Sequence, residues 1–202
     1  QTIAPGSAGT VLVGTDISGV FRSPDNGDNW YPSILGLTDL GVTSIAMITP
    51  SIVCAATYSG GVFTSADSGK SWKASGAIGY GDVRALAIGS SGYVYAGTPG
   101  MGVYRSTDNG KSWQNLGTNG LDNTDIRSIA VSSSAIFAGT YGGGIFKQSI
   151  LGGIWTGASN GLMNTFIYSL ASNPSGHVFA GTGGAGIHRS TDNGGSWVLV
   201  NS

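Results

Sequence analysis

The chain contains no glutamate. Its ten acidic residues are all aspartates, set against nine lysines and arginines in 202 residues, for a formal net charge of −1 with no basic run. The electrostatic surface that dominates nucleic-acid binding is therefore missing, and no nucleic-acid partner is expected. A single cysteine, Cys54, cannot close an intramolecular disulfide; within the apolar run IVCAAT it reads as a small buried hydrophobe. No stretch of eighteen apolar residues is present, so no transmembrane helix is expected. Histidine is scarce too: only His177 and His188 occur, at positions that read as structural. No Ser/His/Asp grouping, Cys/His ligand spacing or phosphate-type loop stands out from the glycine background, so neither a cofactor nor a metal is expected.

What is abundant is glycine, 36 residues, beside 40 % apolar and only 9 % charged residues. Because the apolar residues are regularly placed, the glycine reads as dense turns rather than disorder. The regularity is a repeat. Five tryptophans, Trp30, Trp72, Trp113, Trp155 and Trp197, fall 42, 41, 42 and 42 residues apart, each closing a near-copy of one segment. A fixed period near forty with β-type residues points to a propeller or a solenoid. The third copy shows the plan, with β-rich runs at 82–88, 93–98, 102–106 and 112–117 separated by Gly, Ser, Asn and Asp turns. No segment carries a helical period over a useful length. The expectation is an all-β chain forming one domain over 1–202: a five-bladed β-propeller of four-stranded antiparallel blades, near 1–35, 36–76, 77–118, 119–160 and 161–202. The terminal copies resemble the middle ones, which argues against a capped open stack.

Four copies carry Ser-x-Asp-x-Gly-x-x-Trp: Ser23, Asp25, Gly27 and Trp30; Ser65, Asp67, Gly69 and Trp72; Ser106, Asp108, Gly110 and Trp113; Ser190, Asp192, Gly194 and Trp197. Short Ser and Asp side chains can accept bonds from turn amides, Gly takes a positive φ without strain, and Trp covers apolar surface beside the turn. The fourth copy, QSILGGIW (148–155), keeps Gly152 and Trp155 but has Ile150 in place of Asp, which predicts a looser turn. On these residues the whole chain resembles the Asp-box, or BNR, family of β-propellers, found in sialidases, xyloglucanase-like glycoside hydrolases, sortilin-type receptors and photosystem assembly factors. The resemblance implies that the box joins the third and fourth strands on the rim and marks the fold rather than an activity. A second echo, NGLDNTDIRSIA (119–130) and NGLMNTFIYSLA (160–171), is similar to two-component-regulator propeller repeats, whose members sense or bind outside the cell.

Chemistry is expected in the loops that join the second strand to the third and in the connections between blades, which open on one face. The loops offer Asp16, Tyr58, Pro99, Met101 and Tyr141; the connections offer Asp39, Tyr80, Asp82, Asp122, Asn123, Asp125, Asn164, Phe166 and Tyr168. Aromatic rings beside Asp and Asn suit stacking and hydrogen bonding to sugars or peptide backbone. Arg84 and Arg127 take one position of the innermost strand in consecutive repeats, each two residues after an Asp, where they could hold an anion or pair across neighbouring blades.

The resemblance also bears on activity. The family's sialidases depend on an arginine triad and a tyrosine paired with glutamate, and the absence of glutamate excludes that activity. TDISGVFR (15–22) resembles the segment carrying one carboxylate of the xyloglucanase-like enzymes, which makes Asp16 the weak catalytic candidate. The second carboxylate of an inverting pair comes from another propeller in that family. The expected function is a non-enzymatic, secreted or periplasmic binding module for carbohydrate, with Asp16, Tyr58, Tyr80, Asp82, Arg84, Asp125, Arg127, Tyr141 and Tyr168 as binding residues. The alternatives are a glycoside hydrolase-like propeller using Asp16, a protein- or peptide-binding scaffold, and a structural subunit of a homo-oligomer or filament.

Overall fold

Runs of four to six β-formers separated by glycine turns leave each strand room to pair only with the next, and the sheets are meanders. The computed structural model describes residues 2–79 and 81–200. It contains five sheets, each of four antiparallel strands in chain order. The first holds β1 (Thr2–Pro5), β2 (Val11–Gly14), β3 (Val20–Ser23) and β4 (Tyr31–Pro32). The second holds β5 (Val42–Met47), β6 (Val53–Thr57), β7 (Val62–Ser65) and β8 (Lys73–Ala74). The third holds β9 (Ala85–Ile88), β10 (Val94–Thr98), β11 (Gly102–Ser106) and β12 (Gln114–Asn115). The fourth holds β13 (Ile126–Val131), β14 (Ala135–Thr140), β15 (Ile145–Ser149) and β16 (Thr156–Gly157). The fifth holds β17 (Ile167–Ser172), β18 (Val178–Thr182), β19 (Gly186–Ser190) and β20 (Val198–Leu199). These are the blades of a five-bladed β-propeller, an all-β fold.

By contacts the chain falls into two compact units, Gln1–Ile88 with Gly92–Val94 and Arg105–Gln114, and Gly89–Ser91 with Tyr95–Tyr104 and Asn115–Ser202. In the first, Leu12 and Val20 of the first blade meet Val53, Ala55, Phe63 and Trp72 of the second. In the second, Phe137, Ile145 and Ala158 of the fourth blade meet Val178, Ala180 and Trp197 of the fifth. Strands β6, β10 and β14 are buried along their whole length, which is why VCAAT, VYAGT and AIFAGT read as unbroken small or apolar runs instead of alternating ones.

Two expectations shift. The innermost strand of the third blade starts at Ala85 rather than 82, because the Val83 amide is already bonded to the Thr57 carbonyl, 3.0 Å away. Its outermost strand shrinks to Gln114–Asn115, and every blade ends in a two-residue, exposed outer strand. Cys54 is fully buried and free; burial, with a further push from Asp108, raises its thiol to about 12. His188 is fully buried at the core aromatic position of its repeat, with no hydrogen-bond partner for either ring nitrogen.

Candidate functional site

Each loop between the second and third strands is built on a threonine at the end of the second strand. Thr15, Thr57, Thr98, Thr140 and Thr182 donate their hydroxyls to the carbonyls of Gly19, Gly61, Gly102, Gly144 and Gly186, at 2.8–3.1 Å. The threonine closes a five-residue loop whose second residue is Asp16, Tyr58, Pro99, Tyr141 or Gly183. A repeated Thr four residues before Gly was the signal for this frame, and the sequence reading overlooked it.

The connections clamp those loops. Asp39 Oδ2 accepts from the Ser59 amide and hydroxyl and the Gly60 amide, and Oδ1 accepts from the Gly41 amide, at 2.7–2.9 Å. Partial burial raises the Asp39 pKa, but these four bonds outweigh it and hold the carboxyl below the usual range. Asn123 and Asn164, at the equivalent position, donate to the carbonyls of Tyr141 and Gly183 (3.1 and 2.7 Å) and accept from the amides of Asp125 and Phe166. Three of the residues expected to face a ligand thus spend their polar atoms holding the loop.

Just beyond the clamp the innermost strand slips register by one residue, between Val42 and Ser44, Ile126 and Ser128, and Ile167 and Ser169. The extra residues are Thr43, Arg127 and Tyr168. A bulge re-aims the side chain it carries, and Arg127 lies over the Tyr141 ring, 5.0 Å from its centroid. Arg84, just before β9, lies 4.8 Å from the Tyr58 centroid. Both arginines pair with the aspartate two residues before them, Arg84 to Asp82 and Arg127 to Asp125 at 2.5–2.8 Å through two bonds each. In the second unit Tyr141 meets Phe166 edge-on at 4.8 Å between centroids, with Tyr168 at 6.2 Å. All three rings are exposed, at 45, 39 and 58 %. In the first unit Tyr58 and Arg84 stand beside Asp82, and Asp16 sits in an exposed loop. Tyr80 lies outside the described residues.

The other end of the third strand carries the repeated box. In the second copy Ser65 donates to Asp67 (2.7 Å) and accepts from the Gly69 amide, while Asp67 accepts from the Lys70 and Ser71 amides and the Ser71 hydroxyl at 2.6–3.0 Å. The same set recurs in the third copy, and most of it in the first and fifth. Burial raises Asp67, but the Ser71, Ser65 and Lys70 bonds together outweigh it and bring it down to about 2; the Ser112 bonds take Asp108 to about 2. The Asn29 bonds lower Asp25, and the Ser196 bonds lower Asp192. In the fourth copy Gln148 stands where Ser is expected and donates to the Gly153 carbonyl at 2.7 Å, replacing the missing carboxylate with an amide.

Each tryptophan indole after the first donates to the preceding blade: Trp72 to the Ser33 carbonyl, Trp113 to the Ser75 hydroxyl, Trp155 to the Gly117 carbonyl and Trp197 to the Ala158 carbonyl, at 2.7–3.1 Å. Gly69 sits at φ +80 with Leu12 so near that a Cβ would be 2.9 Å from it, so the box glycine serves both turn and packing. These carboxylates are spoken for, and a rim cleft of about 530 Å³ beside them, lined by Thr64, Trp72, Lys73, Asn109 and Lys111, lies away from the loop rings. Among the described residues no three His, Cys, Asp or Glu side chains gather to hold a metal, and no helix is long and apolar enough to cross a membrane.

Residues 104–115 match the BNR/Asp-box repeat. The chain carries an Asp-box repeat on a five-bladed β-propeller fold. No curated protein matches it in sequence. Its fold is similar to that of the GH74 enzyme of Niastella koreensis (21 % identity, TM-score 0.71, covering 100 % of this chain and 31 % of that one). It is similar as well to the extracellular domain of the one component system BT4673 from B. thetaiotaomicron (19 %, TM-score 0.78, 98 % and 27 %) and to YCF48 bound to D1 peptide (19 %, TM-score 0.73, 98 % and 66 %). The chain thus spans about a third or less of the enzyme and sensor chains and 66 % of the YCF48 chain.

Proposed function

We propose that this propeller is a non-enzymatic binding module of the extracellular or periplasmic space that recognises carbohydrate through its second-to-third-strand loops and the adjoining blade connections. The observation that carries the reading is the exposed trio Tyr141, Phe166 and Tyr168, braced by the Arg127–Asp125 pair. Contacting rings held open to solvent present flat apolar faces that match the C–H faces of a sugar, while the neighbouring carboxylate and guanidinium supply hydroxyl partners. Tyr58 with Arg84 and Asp82 repeats the device with one ring.

Hydrolysis is the weaker reading because the carboxylates that would have to partner Asp16 are committed elsewhere. Asp82 and Asp125 each neutralise an arginine, and Asp39 is held ionised by four donors, the opposite of a general acid. A peptide ligand is the second reading, favoured by the similarity to a propeller that holds a peptide.

A glycan-array screen tests the proposal, with Tyr141→Ala/Tyr168→Ala as the loop variant and Tyr58→Ala beside it. Binding to a defined sugar is expected to fall about tenfold or more in the double variant, since aromatic contacts contribute about 0.5–1.5 kcal/mol each. Binding that survives the double variant would move the site elsewhere, and binding to no glycan would overturn the carbohydrate reading.

A further inference from the structure

One cross-strand pair between the second and third strands is large in every blade but the second. Leu12 pairs with Arg22, Phe137 with Lys147 and Phe179 with Arg189, a bulky apolar side chain beside a long basic one. Tyr95 and Arg105 take these repeat positions in the third blade. In the second blade the pair is Cys54 with Thr64, and both members are short. Elsewhere the basic side chain reaches the box of the following blade: Arg22 Nε donates to the Ser68 carbonyl at 3.0 Å and Lys147 Nζ to the Asn193 carbonyl at 3.2 Å. Thr64 is too short for that, and the corresponding carbonyl, that of Asn109, meets the Cys54 thiol at 3.7 Å, a weak donor.

The space left by the short pair is the rim cleft of about 530 Å³, all of whose lining residues belong to the first unit. At the same place between the fourth and fifth blades, where Lys147 lines the opening, it is about 200 Å³. The positive charge missing from the third strand stands at the side of the cleft instead. Lys73, across from Thr64 on the outermost strand, is exposed, while Tyr31, Thr156 and Val198 hold that position in the first, fourth and fifth blades. Lys111 of the third blade's box is the second cation there. Among the described residues neither ammonium has a hydrogen bond or an ion pair. The nearby carboxylates, Asp67 and Asp108, are bonded into their own boxes through Ser71 and Ser112. Ile52, Ala66 and Ala74 supply an apolar wall.

We infer that this cleft is a second binding site, separate from the loop rings, for a hydroxylated ring bearing an anionic group: a sugar acid or a sulfated sugar. Its volume lies in the usual range for small-ligand sites, about 300–1,000 Å³. A ring hydroxyl gives the Asn109 carbonyl the donor that Arg22 and Lys147 give its counterparts, the C–H face lies on the apolar wall, and Lys73 and Lys111 hold the anion. A cationic ligand is repelled by the same two ammoniums, and a purely apolar one leaves the carbonyl without a strong donor.

Chemical-shift mapping on the isotope-labelled chain tests this, with glucuronate, glucose 6-sulfate, glucose and a tetra-aspartate peptide as probes at one ionic strength. Both anionic sugars are expected to shift the amides around Thr64, Lys73 and Asn109, and to bind about tenfold or more tightly than glucose. Lys73→Gln/Lys111→Gln, at two exposed positions, should lower that affinity about tenfold. Thr64→Arg, which installs the residue of the first and third blades, should fill the cleft and abolish binding. Tyr141→Ala/Tyr168→Ala should leave it unchanged, which keeps this site distinct from the loop reading. No shifts at the cleft, glucose binding as tightly as glucuronate, affinity indifferent to the lysine pair, or the peptide binding more tightly than either anionic sugar would overturn the inference.

Discussion

The two ends of the third strand make an instructive pair. At its start the loop is framed by a threonine hydroxyl and clamped by Asp39, Asn123 or Asn164; at its finish the turn is framed by a serine and an aspartate. Both ends bond their amides internally, so rigidity does not separate them. The difference lies in what the frame presents. The box end of the later blades turns a large ring toward the preceding blade, while the residue after the loop threonine varies between repeats: Asp16, Tyr58, Pro99, Tyr141 and Gly183. The proposed binding site lies at the end where the side chains differ between repeats.

The comparison breaks first at the ring. Trp72→Ala should cost about 3–5 kcal/mol in denaturant unfolding, the range for a buried aromatic whose space cannot collapse; a cost below about 1 kcal/mol would mean that the rim rings do not hold blades together. The carboxylate comes next. Asp67→Ala removes four charge-assisted bonds and should cost about 2 kcal/mol at neutral pH. The pH dependence has a definite sign. Asp67 is held at about 2 in the folded chain and titrates near about 3.9 when unfolded. Its contribution is complete above about pH 4 and is lost as pH falls toward about 2, so the variant's stability should fall less steeply across that window. Smallest is the loop end, where Tyr58→Ala should change stability by about 0.5 kcal/mol, the scale of one exposed cation–π contact. A cost equal to that of Asp67→Ala would erase the distinction between the ends.

The architecture was legible because its cause is periodic. Five tryptophans at near-constant spacing and four copies of Ser-x-Asp-x-Gly-x-x-Trp leave few other folds, and the boxes act as turns, as their residue types require. The loop end was harder to read. Asp39, Asn123 and Asn164 look like ligand-binding polar residues in sequence, and only the backbone geometry shows that their oxygens and nitrogens face inward. Arg127 and Tyr168 occupy one repeat position, but that this position is a bulge depends on register, which no residue type announces. The Asp82 and Asp125 partners of the arginines were equally hidden, since composition does not say which nearby group a guanidinium meets.

Every sheet is made of strands adjacent in the chain, and this sets the order in which the molecule can assemble itself. No blade has to wait for a distant segment to supply a strand, so the entropy lost in closing each hairpin is that of a short loop. Folding can begin in any repeat and spread to its neighbours, each finished blade offering the next a surface with its acceptor carbonyls already in place.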